Sequence, residues 1–290
     1  MILAFDIGGT AIKYGLVGGG TLRSFHEMPT HAKEVGGPGI VKMLYALMDA
    51  LKGSYDKVAV STAGQVDVET GSIIYANENI PHYTGLPLRA LLAGYSHLPV
   101  VVENDVNAAA LGEAAFGAGK GWRQFICLTY GTGIGGALVS DGKVFHGMHG
   151  SAGEFGHFPL YPDGRPCVCG QRGCYEQYAS TTALVRLVAQ ENPSLDTGRL
   201  IMEHRSEPSV ASAINHWLDD VAKGIAALVN ILDPGLVVLG GGIMSGQWIA
   251  EEVRKRVMPL VMDSLKDCVV LPACLGNTAG LMGASSLFQS

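Results

Sequence analysis

One local pattern occurs twice in this chain: an apolar strand, a glycine turn and a second apolar strand. In the first copy, Ile2–Phe5 leads into a turn at Asp6–Thr10, and another apolar run follows. In the second copy, Phe125–Thr129 leads into a Gly-rich turn at Gly131–Gly136, and Ala137–Ser140 has the pattern of the next strand. Because the same supersecondary unit recurs in each half of the chain, we predict a duplicated α/β protein with a cleft between its halves.

Helical patterns separate these strands and indicate where the halves divide. We expect a small N-terminal α/β domain over residues 1–104 and a larger α/β domain over residues 105–277. We expect the final helix, 278–290, to pack back on the first domain. A third glycine cluster, Gly240–Gly242, follows an apolar strand in the second half. The periodicity predicts helices at Gly39–Leu51, Val106–Phe116, Thr181–Gln190, Ala211–Ile231 and Thr278–Phe288.

The bulk composition narrows the class of protein. Hydrophobic residues make up 48% and charged residues 16% of the chain, so a large core is possible and disorder is not expected. The net charge of −6 gives no basic surface for nucleic acid. No apolar run approaches the roughly 18 residues that span a membrane, and we see no secretory leader. Three of the six cysteines lie within Cys167–Cys174, which is typical of a metal site in a reducing compartment, so we expect a cytoplasmic protein.

The first glycine turn has the residues of a phosphate-binding loop. Gly8 and Gly9 let main-chain N–H groups face an anion without a Cβ in the way. Asp6, at the end of a strand, has the carboxylate that Mg²⁺ prefers, bound through water. Thr10 and Lys13 add donors for phosphate. The alternative interpretation is a tight hairpin with a solvated aspartate.

The second glycine turn, Gly131–Gly136, satisfies the G-x-G-x-x-G pattern of dinucleotide-binding folds. In those folds a helix begins within the motif, whereas here the chain continues into a strand and a hairpin turn at Asp141-Gly142. A Walker A loop is absent as well, because Gly121 follows Gly119-Lys120 where that motif needs Ser or Thr. We therefore interpret the two turns as paired hairpins that hold a triphosphate from two sides.

An Asn-Asp pair follows the strand Val100–Val102 and begins a helix. Both residue types are favoured helix caps, which is the structural interpretation of Asn104 and Asp105. A carboxylate at a helix N-terminus also stays ionised at neutral pH, and the end of a strand directs it into a cleft. Asp105 could then accept the proton of a hydroxyl that attacks a γ-phosphate. The two interpretations are compatible.

A histidine and three cysteines follow the spacing H-x9-C-x-C-x4-C, which predicts a closed, tetrahedral structural zinc site. The alternative is a turn with reduced cysteines. A histidine that binds metal through one ring nitrogen presents the other as a donor, and Glu154 and Glu176 lie nearby as acceptors. Converging donors and acceptors suit a polyhydroxylated ligand. The predicted zinc ligands are His157, Cys167, Cys169 and Cys174.

Together these segments resemble the ROK sugar kinases (repressor, open reading frame, kinase), and the resemblance covers the whole chain. It implies an actin-like ATPase fold, that is, a duplicated ribonuclease H-like α/β fold in the two-domain hexokinase arrangement. The implied reaction is transfer of the γ-phosphate of ATP to the 6-hydroxyl of a sugar. The matching pieces are Asp6–Thr10, Glu103–Asn107 with Ala108–Glu113, Thr129–Gly136, His149–His157, Cys167–Glu176 and Leu239–Gly242.

The resemblance also implies individual roles. It makes Asp105 the general base and places Gly241 near adenosine. The implied sugar ligands are Asn104, Glu154, His157 and Glu176. The implied contributors to the phosphate and Mg²⁺ site are Asp6, Gly8, Gly9, Thr10, Lys13, Thr132 and Gly133. Members of the family are commonly dimers, so we expect a homodimer. We expect no DNA-binding domain, because the phosphate loop begins at residue 6.

The identity of the sugar depends on variable loops. Asn77–Gly85 and Ser61–Val66 look more similar to N-acetylmannosamine kinases and β-glucoside kinases than to glucokinases. We therefore favour N-acetylmannosamine over glucose or a β-glucoside. A protein that senses sugar without phosphorylating it is the alternative from another class, and the presence of Asp105 argues against it.

Overall fold

A computed structural model describes residues 1–289 of the chain as thirteen strands and nine α-helices. The strands are β1 (Ile2–Ile7), β2 (Ala11–Gly18), β3 (Thr21–Leu22), β4 (His26–Pro29), β5 (Lys57–Thr62), β6 (Gln65–Asp67), β7 (Ser72–Tyr75), β8 (Val100–Asn104), β9 (Gln124–Tyr130), β10 (Ile134–Ser140), β11 (Lys143–Val144), β12 (Leu236–Gly240) and β13 (Val269–Pro272). The helices are α1 (Ala32–Ala50), α2 (Leu88–Ser96), α3 (Asp105–Phe116), α4 (Glu176–Ala179), α5 (Thr181–Val188), α6 (Gly198–Glu203), α7 (Pro208–Leu232), α8 (Gln247–Val257) and α9 (Ala279–Ser286).

The chain forms two compact units, each assembled from separate segments. The first unit contains Met1–Lys120, His146–Ala152 and the chain from Asn277 onwards. The second unit contains Gly121–Phe145 and Gly153–Gly276. Each unit has its own cluster of buried apolar side chains.

The division of the chain falls after Lys120 rather than after residue 104, where the sequence led us to expect it. The reason is that α3 packs closely along α9, so both helices belong to the first unit. The approach is so close that a Cβ on Gly283 would lie 1.6 Å from the main-chain oxygen of Ala108. The expected last helix extends to residue 290, which lies outside the described residues.

The first unit is built on a mixed sheet in the order β3-β2-β1-β5-β8, with β4 also paired to β2. β1 is antiparallel to β2 and parallel to β5, which is parallel to β8. In this register Asp6 lies opposite Lys13 on one side and Ser61 on the other, and Ser61 lies opposite Glu103. Residues paired in this way point to the same face, so polar side chains of four strands form one row near the carboxyl ends of β1, β5 and β8.

The second unit repeats this plan in the order β11-β10-β9-β12-β13. β9 is antiparallel to β10 and parallel to β12, which is parallel to β13. Each strand of the five-strand path in the first unit therefore has a counterpart with the same direction in the second. This correspondence confirms the duplication that the two glycine turns predict.

One predicted turn is shorter than the sequence suggests. The turn between β9 and β10 contains only Gly131–Gly133, and β10 begins at Ile134, so the prediction of a turn over Gly131–Gly136 is wrong. Gly136 lies within the strand because another segment packs directly on it. A Cβ at this position would lie 2.3 Å from the ring of Phe155 and 2.8 Å from the main-chain oxygen of Gly153.

Within residues 1–289, no helix combines the length and the apolar character needed to cross a membrane.

Candidate active site

The first glycine loop closes the hairpin between β1 and β2 in the first unit. The N–H of Gly8 donates to the carbonyl of Ala11 at 2.9 Å, and Thr30 holds the loop from behind through its N–H to Thr10 and its hydroxyl to Gly8. Gly9 and Thr10 are exposed, and the space beside Gly9 where a Cβ would stand is open. The loop therefore presents main-chain donors to solvent, as a phosphate-binding hairpin requires.

Asp6 lies just before this loop, in the polar row of the sheet. Its Oδ1 accepts a hydrogen bond from the Ser61 hydroxyl at 2.6 Å, and its Oδ2 lies 3.5 Å from the Lys13 ammonium. The carboxylate is largely enclosed but keeps part of its surface open. Hard oxygen ligands of this kind fit Mg²⁺, so the residues present are compatible with the predicted cation.

Asn104 is the N-cap of α3, and Asp105 is the first residue of that helix. The Asn104 side-chain oxygen accepts from the N–H groups of Val106 and Asn107, and its Nδ2 donates to the carbonyl of Gly64 and to Asp105 Oδ1. Both amide hydrogens of Asn104 are therefore already engaged. The cap that the sequence predicts is present, and sugar binding by Asn104 stays a prediction.

The electrostatic surroundings of Asp105 raise its pKa above the ordinary value for aspartate. Burial, followed by the nearby charge of Asp6, raises the pKa of Asp105 to about 6, against the stabilising hydrogen bonds from Val106 and Asn104. Desolvation is the largest of these effects, because it disfavours the charged form of a buried carboxyl group. At pH 7 the group is still mainly ionised, and a pKa close to the working pH favours a general base.

The second glycine loop adjoins a pocket of about 930 Å³ in the second unit. Thr181 donates through its N–H to the carbonyl of Gly131 and through its hydroxyl to that of Tyr130, which fixes the loop on the start of α5. The pocket volume is in the range of small-molecule sites. Among the residues that line the pocket are Tyr130, Gly131, Thr132, Gly242, Arg205 and Trp248.

Two of the predicted nucleotide residues lie beside this pocket without lining it. Gly241 has a φ of 96° and passes so close to β9 that a Cβ would lie 2.2 Å from the Tyr130 oxygen, so only glycine fits. Gly133 faces Glu176 instead, because a Cβ there would lie 2.4 Å from its Oε2. Thr132, Gly133 and Gly241 were predicted to contact the nucleotide in the second unit. Of these three residues, Thr132 alone lines the pocket.

The segment before His157 packs closely on β10 because two of its residues are glycines. A Cβ on Gly153 would lie 2.4 Å from the oxygen of Gly136, and one on Gly156 would lie 2.3 Å from that of Ile134. Between these contacts Glu154 is exposed, and Phe155–His157 forms a single 3₁₀ turn. The glycine spacing thus presents Glu154 at the surface of the unit and brings His157 next to it, with 3.8 Å between the His157 Nε2 and a Glu154 oxygen.

The structure brings the four predicted zinc ligands together, with their ligand atoms all within 4.8 Å of one another. The Cys169 and Cys174 sulfurs are 3.6 Å apart, and the Cys167 sulfur lies 3.7 Å from the His157 Nδ1. Tetrahedral zinc with bonds of about 2.3 Å to sulfur and about 2.0 Å to nitrogen separates its ligands by about 3.6–3.8 Å, so the cluster fits that ion.

The three thiols of the cluster differ in their ionisation. Burial, then hydrogen bonds to the other two thiols, raises the pKa of Cys174 to about 12, and burial also raises that of Cys167. A main-chain hydrogen bond from Gln171 lowers the pKa of Cys169. Because thiols lose their protons when a metal ion binds them, the evidence for a metal site is the donor set and its geometry rather than the ionisation of the free thiols.

Glu176 lies directly beside this cluster at the start of α4. Its Oε1 accepts from the Cys167 thiol at 3.2 Å and lies 4.0 Å from the His157 Nδ1, and its side chain is almost fully buried. The preceding Tyr175 is completely buried and donates to the carbonyl of Val221 in α7. Glu154, His157 and Glu176, predicted as sugar ligands, thus occur as one group held by β10, the cysteine cluster and the core.

Several residues around Asp105 were not identified from the sequence as functional. Glu103 and Ser61 flank the predicted residues in the polar row, and His146 contacts Glu103 at 2.9 Å. Thr62 and Tyr83 are fully buried and joined by a hydrogen bond of 2.6 Å. The position of Glu103 directly after the predicted strand Val100–Val102 was an available signal. His146 gave no such signal, because its partner is distant in sequence.

Comparisons with known proteins agree with this architecture. Residues 2–290 match the model of the ROK family. The chain is 35% identical to a glucokinase of Streptomyces coelicolor, over 99% of this chain and 97% of that protein. It is 29% identical to an N-acetyl-D-glucosamine kinase of Yersinia pseudotuberculosis, over 99% and 98%. Among solved structures, a ROK family glucokinase from Streptomyces griseus, in complex with glucose and AMPPNP, is 34% identical, with a TM-score of 0.86 and coverage of 100% and 99%.

The duplicated α/β units therefore have the actin-like ATPase fold of the ROK hexokinases, which confirms the predicted fold class. The chain belongs to the ROK family.

Proposed function

We propose that this protein is an ATP-dependent carbohydrate kinase that phosphorylates the 6-hydroxyl of a hexose or N-acylhexosamine. Family membership and relatives named as glucokinase and N-acetyl-D-glucosamine kinase support the class of reaction. The observation that carries the proposal is the pair of carboxylates in the first unit, in which the charge of Asp6 helps to raise the pKa of Asp105. Two carboxylates close enough to interact are typical of a site that divides acid–base work from charge binding.

In the proposed reaction Asp105 accepts the proton of the sugar hydroxyl as its oxygen forms a bond to the γ-phosphorus of ATP. The bond from that phosphorus to the bridging oxygen breaks, and its electron pair stays on ADP. Asn104 and the first turn of α3 hold the carboxylate in place. The hydroxyl proton needs an ionised acceptor, which the Asp105 pKa of about 6 allows at neutral pH.

The nucleotide and its cation are assigned to the glycine loops. We propose that the Gly8–Thr10 loop and Lys13 bind phosphate, and that Thr132 and the adjoining pocket bind ATP in the second unit. Asp6 would hold Mg²⁺, which neutralises phosphate charge when it is bound. The close packing of Gly241 on Tyr130, beside this pocket, supports its proposed position near adenosine.

The cysteine cluster is proposed as a structural zinc site next to sugar ligands. His157, Cys167, Cys169 and Cys174 would bind the ion and leave no open position for a substrate. Glu154 and Glu176 would accept sugar hydroxyls, and the Nε2 of His157 would act as donor, since Nδ1 faces the thiols. Zinc, when bound, supplies rigidity to this loop.

Turnover of a sugar panel tests the choice of substrate. The loop Asn77–Gly85 favours N-acetylmannosamine, whereas the glucokinase relatives support glucose. We would measure ADP release with N-acetylmannosamine, glucose, N-acetylglucosamine and a β-glucoside, and compare kcat/KM. Phosphorus NMR of the product establishes which hydroxyl is phosphorylated. Absence of turnover with every sugar, together with measurable sugar binding, would favour a non-catalytic sugar-sensing protein.

Asp105→Asn provides the test of the base. We expect a loss of at least roughly 10²-fold in kcat, as is typical of a positioned acid–base group. Asp263→Asn is the matched control, because Asp263 is an exposed residue that pairs with the neighbouring Lys266. The homodimer, to be measured by light scattering, and the cytoplasmic location remain predictions that accompany this function.

A further inference from the structure

A buried carboxylate that the proposed reaction does not use, Glu103, lies two residues before the proposed base. Glu103 is 2% exposed, yet it accepts three hydrogen bonds. Its Oε1 accepts from the N–H of Asn104 at 2.9 Å and from Asn107 Nδ2 at 3.1 Å. Its Oε2 is 2.9 Å from His146 Nε2, the one partner of this oxygen within residues 1–289. A carboxyl group so deeply buried is stable only when its hydrogen-bond partners are present.

His146 comes from a part of the chain remote from Glu103. It is the first residue of His146–Ala152, a short segment that belongs to the first unit although the chain on both sides of it belongs to the second. The N–H of Ala152 donates to the carbonyl of His146 at 3.0 Å, so the segment closes on itself as a loop.

The other end of this loop rests on the β6–β7 hairpin. The Ser151 hydroxyl donates to Gln65 Oε1 at 3.1 Å, and a Cβ on Gly150 would lie 3.0 Å from the Val66 oxygen. The loop is thus fixed at two points. Its Gly150–Ser151 end contacts β6, and its His146 end contacts Glu103 near the end of β8. The hydrogen bond to Glu103 also raises the pKa of His146, against the opposing effect of burial.

We propose that His146 is a positioning residue, which fixes the Glu103 carboxylate and through it the Asn104–Asp105 end of β8 and start of α3. This inference rests on the proposed function, because it assigns His146 to the reaction in which Asp105 is the base. Without His146, Oε2 loses its donor and the carboxylate turns towards water. The hydrogen bonds from Oε1 to Asn104 and Asn107 then weaken, and the cap that orients Asp105 shifts with them.

The decisive experiment compares two substitutions of the same residue in the full-length protein. His146→Phe keeps a ring but removes the donor, whereas His146→Gln keeps a neutral donor. For His146→Phe we expect kcat to fall about 10- to 100-fold, with a higher KM for the sugar and an unchanged KM for MgATP. His146→Gln should recover most of this loss. His149→Gln, an exposed histidine of the same loop, is the matched control and should behave as wild type.

Two results would overturn the inference. One is a His146→Phe variant within about threefold of His149→Gln in both kcat and sugar KM. The other is a decrease in kcat that matches a loss of folded protein while both KM values stay unchanged, since this pattern reports a merely structural role. Glu103→Gln completes a double-mutant cycle, in which the second substitution should add little if the two residues act through their contact.

Amide hydrogen exchange gives a readout that does not depend on turnover. In His146→Phe the N–H groups of Asn104 and Asn107 should exchange at least about tenfold faster than in His149→Gln, and His146→Gln should stay near the control. Equal exchange in all three variants contradicts the inference. A wild-type protein without kinase activity contradicts the proposed function instead, and the exchange rates then still decide whether His146 fixes the end of β8.

Discussion

Asp105 is subject to opposing effects on its charge. The helix N-terminus and hydrogen bonds from Val106 and Asn104 favour the ionised carboxylate. Burial and the charge of Asp6 favour the protonated acid, and these two effects are the stronger ones. The resulting pKa of about 6 is high enough for useful basicity and low enough for ionisation at neutral pH. The basicity of Asp105, on which its proposed role depends, is thus set by the surroundings of the carboxylate rather than by aspartate alone.

This balance predicts the acid limb of the pH profile. Because only the ionised form of Asp105 accepts a proton, kcat/KM should be high above pH 7 and fall about tenfold per pH unit below a midpoint near 6. The profile should be recorded at saturating Mg²⁺, with the coupling enzymes shown not to limit the rate. A midpoint near 4, the ordinary value for aspartate, would contradict the assigned surroundings of the base.

Gly133 gives a second prediction for a single residue. A Cβ at this position would lie 2.4 Å from Glu176 Oε2, so Gly133→Ala must displace the Glu176 carboxylate. We expect KM for the sugar to rise roughly 10- to 100-fold, the cost of one misplaced charged hydrogen-bond acceptor, and KM for ATP to change less. Gly94→Ala is the control, since no atom lies within 4 Å of the Cβ that it adds. An increase confined to KM for ATP would show that Gly133 acts on the phosphates alone.

The identities of the candidate residues were more predictable from the sequence than their surroundings. The spacing of His157 and the cysteines is local, so it identified a cluster that the structure brings together. The pKa of Asp105 and the contact between Gly133 and Glu176 depend on segments that are distant in sequence. Spacing along the chain carries no information about such contacts, which explains why their effects were missed.

At the scale of elements, the cysteine loop has no helix or strand of its own among the described residues. Between the 3₁₀ turn at His157 and the start of α4, the chain has two isolated bridges, Pro159 with Cys174 and Pro166 with Arg172, and several separate main-chain hydrogen bonds. These contacts do not form a continuous ladder, so a metal ion bound by the cluster would add cross-links to the loop.

Removal of the proposed zinc should therefore loosen this loop selectively. After treatment with a chelator we expect faster amide exchange over Gly153–Glu176 and a KM for the sugar that rises more than KM for ATP. Cys169→Ser should reproduce the effect without chelator. The Cys274→Ser variant changes an exposed cysteine outside the cluster and is the control. Freshly purified protein without stoichiometric zinc would contradict the assignment.

At the scale of elements, the structural role of glycine was the feature least well predicted from the sequence. Gly131–Gly136 looks like one long turn, but Gly136 is part of β10 because Phe155 and Gly153 occupy the space of its side chain. In α1 the predicted start at Gly39 is late, since helix begins at Ala32 and is interrupted at Gly36, which has a φ of 59°. Gly136 allows a close tertiary contact, whereas Gly36 interrupts a helix. The sequence alone does not distinguish these two roles from that of a turn residue.

At the scale of the whole molecule, duplication was the feature that the sequence predicted best. The two strand–turn–strand patterns correspond to β1–β2 and β9–β10, and both sheets continue with two parallel strands. The division between the units was harder to predict, because α3 joins the first unit by packing on α9 at the far end of the chain. Periodicity identifies such helices but not their packing partners.

The pocket beside the second glycine loop is formed by one unit alone, so its occupation should not require sugar. We expect a non-hydrolysable ATP analogue to bind the sugar-free protein and to raise its Tm as its concentration exceeds Kd. Trp248 lines this pocket, with the Arg205 guanidinium 5.9 Å from its ring, so binding should change its fluorescence.

Substitution of single tryptophans assigns that signal. Trp248→Phe should abolish the fluorescence change and weaken binding about tenfold, since a contact between a base and an aromatic ring is worth roughly 1–3 kcal/mol. Trp122→Phe is the matched control, because Trp122 is partly exposed but packs on Gly235 and does not line the pocket. A fluorescence change that persists in Trp248→Phe, or binding that occurs only with sugar present, would show that the nucleotide does not use this pocket in the way proposed.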